Sequence, residues 1–115
     1  MLKIVKEGKH CKVELFQVNR LNTLFSDLVE HQLKELVEEQ GNSVLFDLDG
    51  IKFIDTSGFN VLLEISELAR VCGSEFQLCN VSDDVQELII LLGLEKRFSY
   101  CSCTRSEEKI LMTLD

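Results

Sequence analysis

Residues 43–58 read Ser43-Val44-Leu45-Phe46-Asp47-Leu48-Asp49-Gly50-Ile51-Lys52-Phe53-Ile54-Asp55-Thr56-Ser57-Gly58, and the change of pattern along them decides the fold class. The first part is an almost continuous apolar run between the turn signals Gly41-Asn42 and Asp49-Gly50. Such a run predicts a central strand buried on both faces. Lys52-Phe53-Ile54 then leads into Asp55-Thr56-Ser57-Gly58. From Gly58 the period becomes helical: Gly58, Val61, Leu62, Ile65, Leu68, Ala69 and Cys72 follow one another at spacings of one to four and fall on one stripe, and Gly73 stops the helix.

Working outward, Phe76-Gln77-Leu78-Cys79 reads as a further strand. Ser82 is a suitable N-cap, with Asp83 and Asp84 in the first turn of a helix carrying Val85, Leu88, Ile89 and Leu92 and ending at Gly93. An extended segment is expected near Phe98 to Cys103, and Ser106 is placed to cap a last helix with Ile110, Leu111 and Leu114. Towards the N-terminus, Leu2 to Lys6 and the alternating Cys11, Val13 and Leu15 predict a hairpin turning at Glu7-Gly8-Lys9. Asn22 or Thr23 caps a helix whose apolar side holds Leu24, Phe25, Leu28, Val29, Leu33, Leu36 and Val37. The order is ββαβαβα followed by a short extended segment and a helix. Helix-linked strands after a hairpin imply parallel neighbours with right-handed crossovers. The expected fold is α/β: a mixed four- to five-stranded sheet with about four helices mostly on one face, forming one domain over residues 1–115.

Composition narrows the function. Apolar residues make up 45% of the 115 residues, enough for a core without disulfides or metals. The net charge of −8 and pI near 4.7 disfavour nucleic acid and anionic membranes as partners and suit a protein that binds proteins. The five cysteines are odd in number, no apolar h-region opens the chain, and no run approaches a membrane span, so a cytoplasmic protein with reduced thiols is expected.

The stretch from Val44 to Phe98 resembles STAS domains, the family of bacterial anti-sigma-factor antagonists. The apolar strand, the Asp55-Thr56-Ser57-Gly58 turn, the helix after it and Gly93-Leu94-Glu95 carry the likeness. The N-terminal third matches in element order, and Asn19 stands where the family often has Gly. The resemblance implies Ser57 as a phosphoacceptor. It implies as partner an anti-sigma factor that is also a serine/threonine kinase of the GHKL type, bound while Ser57 is unmodified and lost on phosphorylation, with a serine phosphatase resetting the switch. It implies no enzymatic activity and no cofactor. STAS domains also serve as adaptors in stress-signalling, lipid or transport complexes, which is the alternative role. Thr56 is a second hydroxyl in the motif.

The residues themselves agree with that position. A Ser at a helix start after a turn is exposed and faces unpaired N–H groups. Asp55 is placed to cap the helix or orient the hydroxyl. Asp47 and Asp49 read as turn and capping residues, not as a phosphoaspartate or Mg²⁺ site. Cys101-Ser102-Cys103 lacks zinc-ligand spacing, and His10 and His31 read as surface residues. Phe59 and Leu63 lie off the core stripe of their helix. Two readings stand open for them: an exposed apolar partner surface beside Ser57, or cover by a neighbouring element. On the first, the contact set is Asp55, Thr56, Ser57, Gly58, Phe59 and Leu63, and no metal site is expected.

Overall fold

The computed structural model describes residues 2–101. The hairpin forms from β1 (Leu2–Glu7) and β2 (His10–Leu15), with Gly8 at φ 61° in the turn. Then follow β3 (Arg20–Leu21), α1 (Thr23–Val37), β4 (Ser43–Asp47), β5 (Phe53–Ile54), α2 (Thr56–Cys72), β6 (Glu75–Cys79), α3 (Asp83–Leu91) and β7 (Ser99–Tyr100). The main sheet has the order β1-β2-β4-β6-β7, antiparallel between β1 and β2 and parallel elsewhere. The mixed sheet of five strands is as expected. Three helices are described; the expected helix from Ser106, and Cys103, lie outside the described residues.

Alternation sets the inward face. Cys11, Val13 and Leu15 of β2, Val44 and Phe46 of β4, and Phe76 and Leu78 of β6 point to the side covered by α1 and α2. Phe46 and Phe76 meet there as a tilted ring pair 6.4 Å apart. Their buried side chains join those of the helices in one cluster. The opposite face is less covered: Leu45 is half-buried, so β4 is central in the sheet without being sealed on both faces. Asp47 on that face is buried and links the middle of β2 with the turns that follow β4 and β6. Its Oδ1 accepts from Asp49 N and from the Asn80 side chain, both at 2.9 Å, and Oδ2 lies 3.5 Å from Lys12 Nζ. That is the turn role read from sequence.

Capping follows the residue types. Asn22 accepts from Leu24 N at α1, and Ser82 accepts from Val85 N at α3. Gly73 takes φ 76° at the C-cap of α2, a left-handed conformation that Gly adopts without a Cβ penalty. Two expectations are corrected. Leu24 is 82% exposed and Leu28 42%, because α1 buries the opposite side carrying Val29, Leu33, Leu36 and Val37. Leu92 is exposed at the end of α3, whose buried residues are Val85 and Ile89. Before α1, Gln17 takes a left-handed backbone, at φ 65°.

The short strands β3 and β5 form a separate parallel ribbon, Arg20 opposite Phe53 and Leu21 opposite Ile54. It is extended by Lys52 N–H donating to the Asn19 carbonyl at 2.7 Å and Asp55 N–H to the Leu21 carbonyl at 3.1 Å. This ribbon presses the start of α2 against the residue before α1's cap. A Cβ built on Gly58 would sit 2.7 Å from Ile54 Cγ2 and 2.9 Å from the Leu21 carbonyl oxygen. Gly58→Ala is therefore expected to destabilise the fold by about 1–3 kcal/mol, read as a lower urea midpoint at unchanged slope. A loss below about 0.5 kcal/mol would show that the ribbon yields to a methyl group.

Candidate functional site

The site is built around the carboxylate of Asp55, the residue between β5 and α2. Its backbone is extended (φ −89°, ψ −178°), which turns the side chain back over the first turn of the helix. Oδ1 accepts the Gly58 amide at 2.9 Å and the Ser57 hydroxyl at 2.7 Å. Oδ2 accepts from Thr23, the first residue of α1: its amide at 3.2 Å and its hydroxyl at 3.4 Å. The hydroxyl oxygens of Thr23 and Ser57 are 3.4 Å apart. One carboxylate thus joins the starts of two helices and holds the Ser57 hydroxyl between them.

Donors aimed at a carboxylate stabilise its charged form. The Asp55 carboxyl accordingly lies below its ordinary range, chiefly through the Ser57 hydroxyl and then the Gly58 amide, with partial burial acting the other way. A carboxylate held in this manner is a poor proton acceptor near neutral pH. The arrangement orients the Ser57 hydroxyl more than it activates it. Among the described residues, the hydrogen-bond partners of Ser57 include no histidine; His31 instead lies 3.5 Å from Glu35 on the exposed side of α1.

A family model of the STAS domain matches residues 8–110. This chain belongs to the STAS domain family. Over 72 residues it is 32% identical to the anti-sigma F factor antagonist of Paenibacillus polymyxa, a match covering 62% of either chain, so the similarity spans less than two thirds of that relative's length. Among solved structures, a STAS domain protein from Planctomyces limnophilus is similar with a TM-score of 0.75 at 19% identity, over 88% of both chains. The anti-sigma factor antagonist SpoIIAA in its unphosphorylated form gives a TM-score of 0.72 at 12% identity, over 96% of both chains. The Bacillus SpoIIAA in its phosphorylated form gives 0.68 at 12% identity, over 96% of this chain and 99% of that one. At these identities the structural likeness is one of fold.

Within the STAS domain, the sequence-selected residues divide. Thr56 is exposed, and Asp55 and Ser57 are half-buried at the mouth of the turn. Gly58 and Phe59 are buried, Phe59 to 3% exposure, so of the two readings open for Phe59 the structure fits cover by neighbouring elements. The reason is that α2 touches α1, β5 and β6, so its buried arc is wider than the stripe read from its spacing. Leu63 is half-buried and lines a shallow hollow of about 510 Å³ with Glu30, Glu64, Leu68 and Val71. Facing across that hollow, a hydrogen bond with Glu64 is the main cause that raises the Glu30 carboxyl above its ordinary range.

Sequence reasoning missed one contributor. Thr23 was read only as a cap, yet it meets Asp55 across 32 positions of chain. Its signal lies in the pairing of Arg20–Leu21 with Phe53–Ile54, and two-residue strands carry too little periodicity to announce themselves. Leu24, next to Thr23, is left 82% exposed, more than Leu28 on the same side of α1.

Asp55 links stability to pH. Because its carboxyl is depressed in the fold, its contribution is fully present above the unfolded-state value near pH 3.9 and is lost as pH falls through the lower folded value. Asp55→Ala is expected to cost about 1 kcal/mol at pH 7, in the range of a lost N-cap. The gap between the urea midpoints of wild type and variant should narrow on acidification below about pH 4. A gap independent of pH would mean that the ionised carboxylate is not what holds the turn.

Proposed function

We propose that the whole chain acts in the cytoplasm as one STAS domain that antagonises an anti-sigma factor, with Ser57 as its phosphoacceptor. The observation that carries this reading is the Ser57 hydroxyl, held 2.7 Å from Asp55 Oδ1 at the head of α2, beside exposed Thr56 and one residue pair from exposed Leu24. The relative from Paenibacillus polymyxa bears the name of an anti-sigma F factor antagonist, and SpoIIAA, which shares the fold, has a phosphorylated form; both support the reading. The partner is then an anti-sigma factor with a GHKL-type serine/threonine kinase fold, and a serine phosphatase reverses the modification. The unmodified domain occupies the anti-sigma factor and frees the sigma factor for transcription.

The physical consequence of modification is local. A phosphate on Ser57 replaces the proton that Asp55 accepts and adds a charge of about −1.5 to −2 next to an ionised carboxylate. Like charges at this separation repel, so the Ser57–Asp55 hydrogen bond is lost and the phosphate turns outward or towards the open amides of the first helical turn. Any partner seated on Thr56 and Ser57 would then have to strip water from a dianion. Binding fails at the surface while the core is untouched.

Wild type, Ser57→Ala and Ser57→Asp baits in a pull-down from the native cells, with mass spectrometry of retained proteins, test this. Wild type and Ser57→Ala should retain a kinase-fold ATPase, and added ATP should release it from wild type alone. Ser57→Asp should bind at least about tenfold more weakly, a difference of about 1.4 kcal/mol. Equal retention by all three baits, unaffected by ATP, would assign the domain to a non-switching adaptor.

The exposed apolar residue gives a separate check. Leu24→Ser should weaken the complex while moving the urea midpoint by less than the equivalent of about 0.5 kcal/mol. Unchanged affinity would place the interface away from α1.

A further inference from the structure

We propose that Cys79 and Cys101 form an oxidisable thiol pair, a modification site at which a peroxide installs a reversible disulfide between β6 and the chain leaving β7. The register puts them side by side. Gln77 pairs with Ser99 and Leu78 with Tyr100 in the parallel ladder. Cys101 N–H donates to the Leu78 carbonyl at 2.9 Å, which carries the ladder one step further. The next pair in step is Cys79 with Cys101. Alternation puts both thiols on the sheet face turned away from α1 and α2, with Gln77 and Ser99. Neighbouring strands lie about 4.8 Å apart, inside the Cα separation of about 4.4–6.8 Å that a disulfide spans.

The two thiols differ in access. Cys79 is 1% exposed, whereas Cys101 is half-buried and lines an open-face hollow with His10, Lys12, Leu45 and Gln77. The Cys79 thiol is pushed up to about 12, first by burial and then by Asp47, with Cys101 itself among the groups that act on it. Cys79 therefore stays protonated and waits, while the oxidant meets Cys101. The Cys101 sulfur attacks one peroxide oxygen, the O–O bond breaks, and the thiol proton passes to the departing oxygen, giving a sulfenic acid and water. The Cys79 sulfur then attacks the Cys101 sulfur, the S–O bond breaks, and the departing hydroxide takes the Cys79 proton as a second water. Two thiols and one peroxide become one disulfide and two waters. Cys11 also borders that hollow, but from β2, which β4 separates from β6 and which β4 and β6 separate from β7.

The bond would fasten β7, a strand of two residues at the sheet edge, to β6, and would close the chain segment that contains α3. A cross-link over such a loop lowers the entropy of the unfolded chain and raises the melting temperature.

The test uses the full chain with Cys72→Ser and Cys103→Ser, in which a tryptic cross-link between the peptide holding Cys79 and the peptide holding Cys101 has one possible origin. After limited hydrogen peroxide and alkylation of remaining thiols, that linked pair should appear in mass spectra, vanish on reduction with dithiothreitol, and be absent when Cys101→Ser is added. The melting temperature should rise on oxidation and return on reduction, with no rise in the Cys101→Ser protein. Unlinked Cys79 beside sulfinic Cys101, or Cys101 joined to a second chain, would overturn the proposal. Wild type supplies the check on Cys103: a bond confined to the peptide holding Cys101 and Cys103 would overturn it equally.

Discussion

A single carboxylate holds together the parts of this domain that matter for its surface chemistry. Asp55 receives two donors from the start of α2 on one oxygen and two from the start of α1 on the other. Each helix start would otherwise leave amides without intrahelical carbonyl partners. Thr23 and Ser57 are distant in sequence, and the shared acceptor brings their hydroxyl oxygens within 3.4 Å. The relative placement of α1 and α2 at this end follows from Asp55 and from the ribbon behind it. Further along, the two helices are held by apolar packing against the sheet.

The ribbon explains why the motif is built from these residue types. Backbone pairing of Leu21 with Ile54 brings the Leu21 carbonyl close to the first turn of α2, and only a residue without a side chain fits at Gly58. Asp at the cap supplies a short acceptor that reaches the amide three residues on. Ser57 then falls on the turn where its hydroxyl can bond the same oxygen and still face outward. Asp, a small hydroxyl residue and Gly are therefore each required by a separate contact, and the geometry of the turn is over-determined.

Much of this was legible in the chain. The strand–turn–helix run from Ser43 to Gly73 was found because its period changes from a continuous apolar run to a clean helical stripe, and the caps Asn22, Asp55 and Ser82 were found because their residue types compete for that role. What stayed hidden depended on tertiary contacts. The burial of Phe59 comes from the number of neighbours around α2, which spacing on one helix does not report. The exposure of Leu24 has the converse cause: α1 rests on the sheet by its other side, and an apolar residue on a wheel reads the same whether or not anything covers it. The pairing of β3 with β5 is carried by two residues on each side, below the length at which a pattern can be recognised.

The same economy bears on how a modification here is tolerated. Displacing Asp55 from its cap removes an interaction worth about 1 kcal/mol, against a folding free energy of about 5–15 kcal/mol for a domain of ordinary stability. Gly58, Phe59 and the ribbon lie beneath the hydroxyl and keep their contacts whatever Asp55 does, because none of those contacts passes through the carboxylate except the Gly58 amide. A charge added to Ser57 would thus alter the exposed rim formed by Thr56, Ser57 and the start of α1 and leave the platform under it in place. Under the proposed function, that separation is what a binding switch needs: the hydroxyl that changes is half-buried at the rim, the groups beneath it (Leu21, Ile54, Gly58 and Phe59) are buried, and the bond from Asp55 to the hydroxyl is weak enough to break without unfolding the domain.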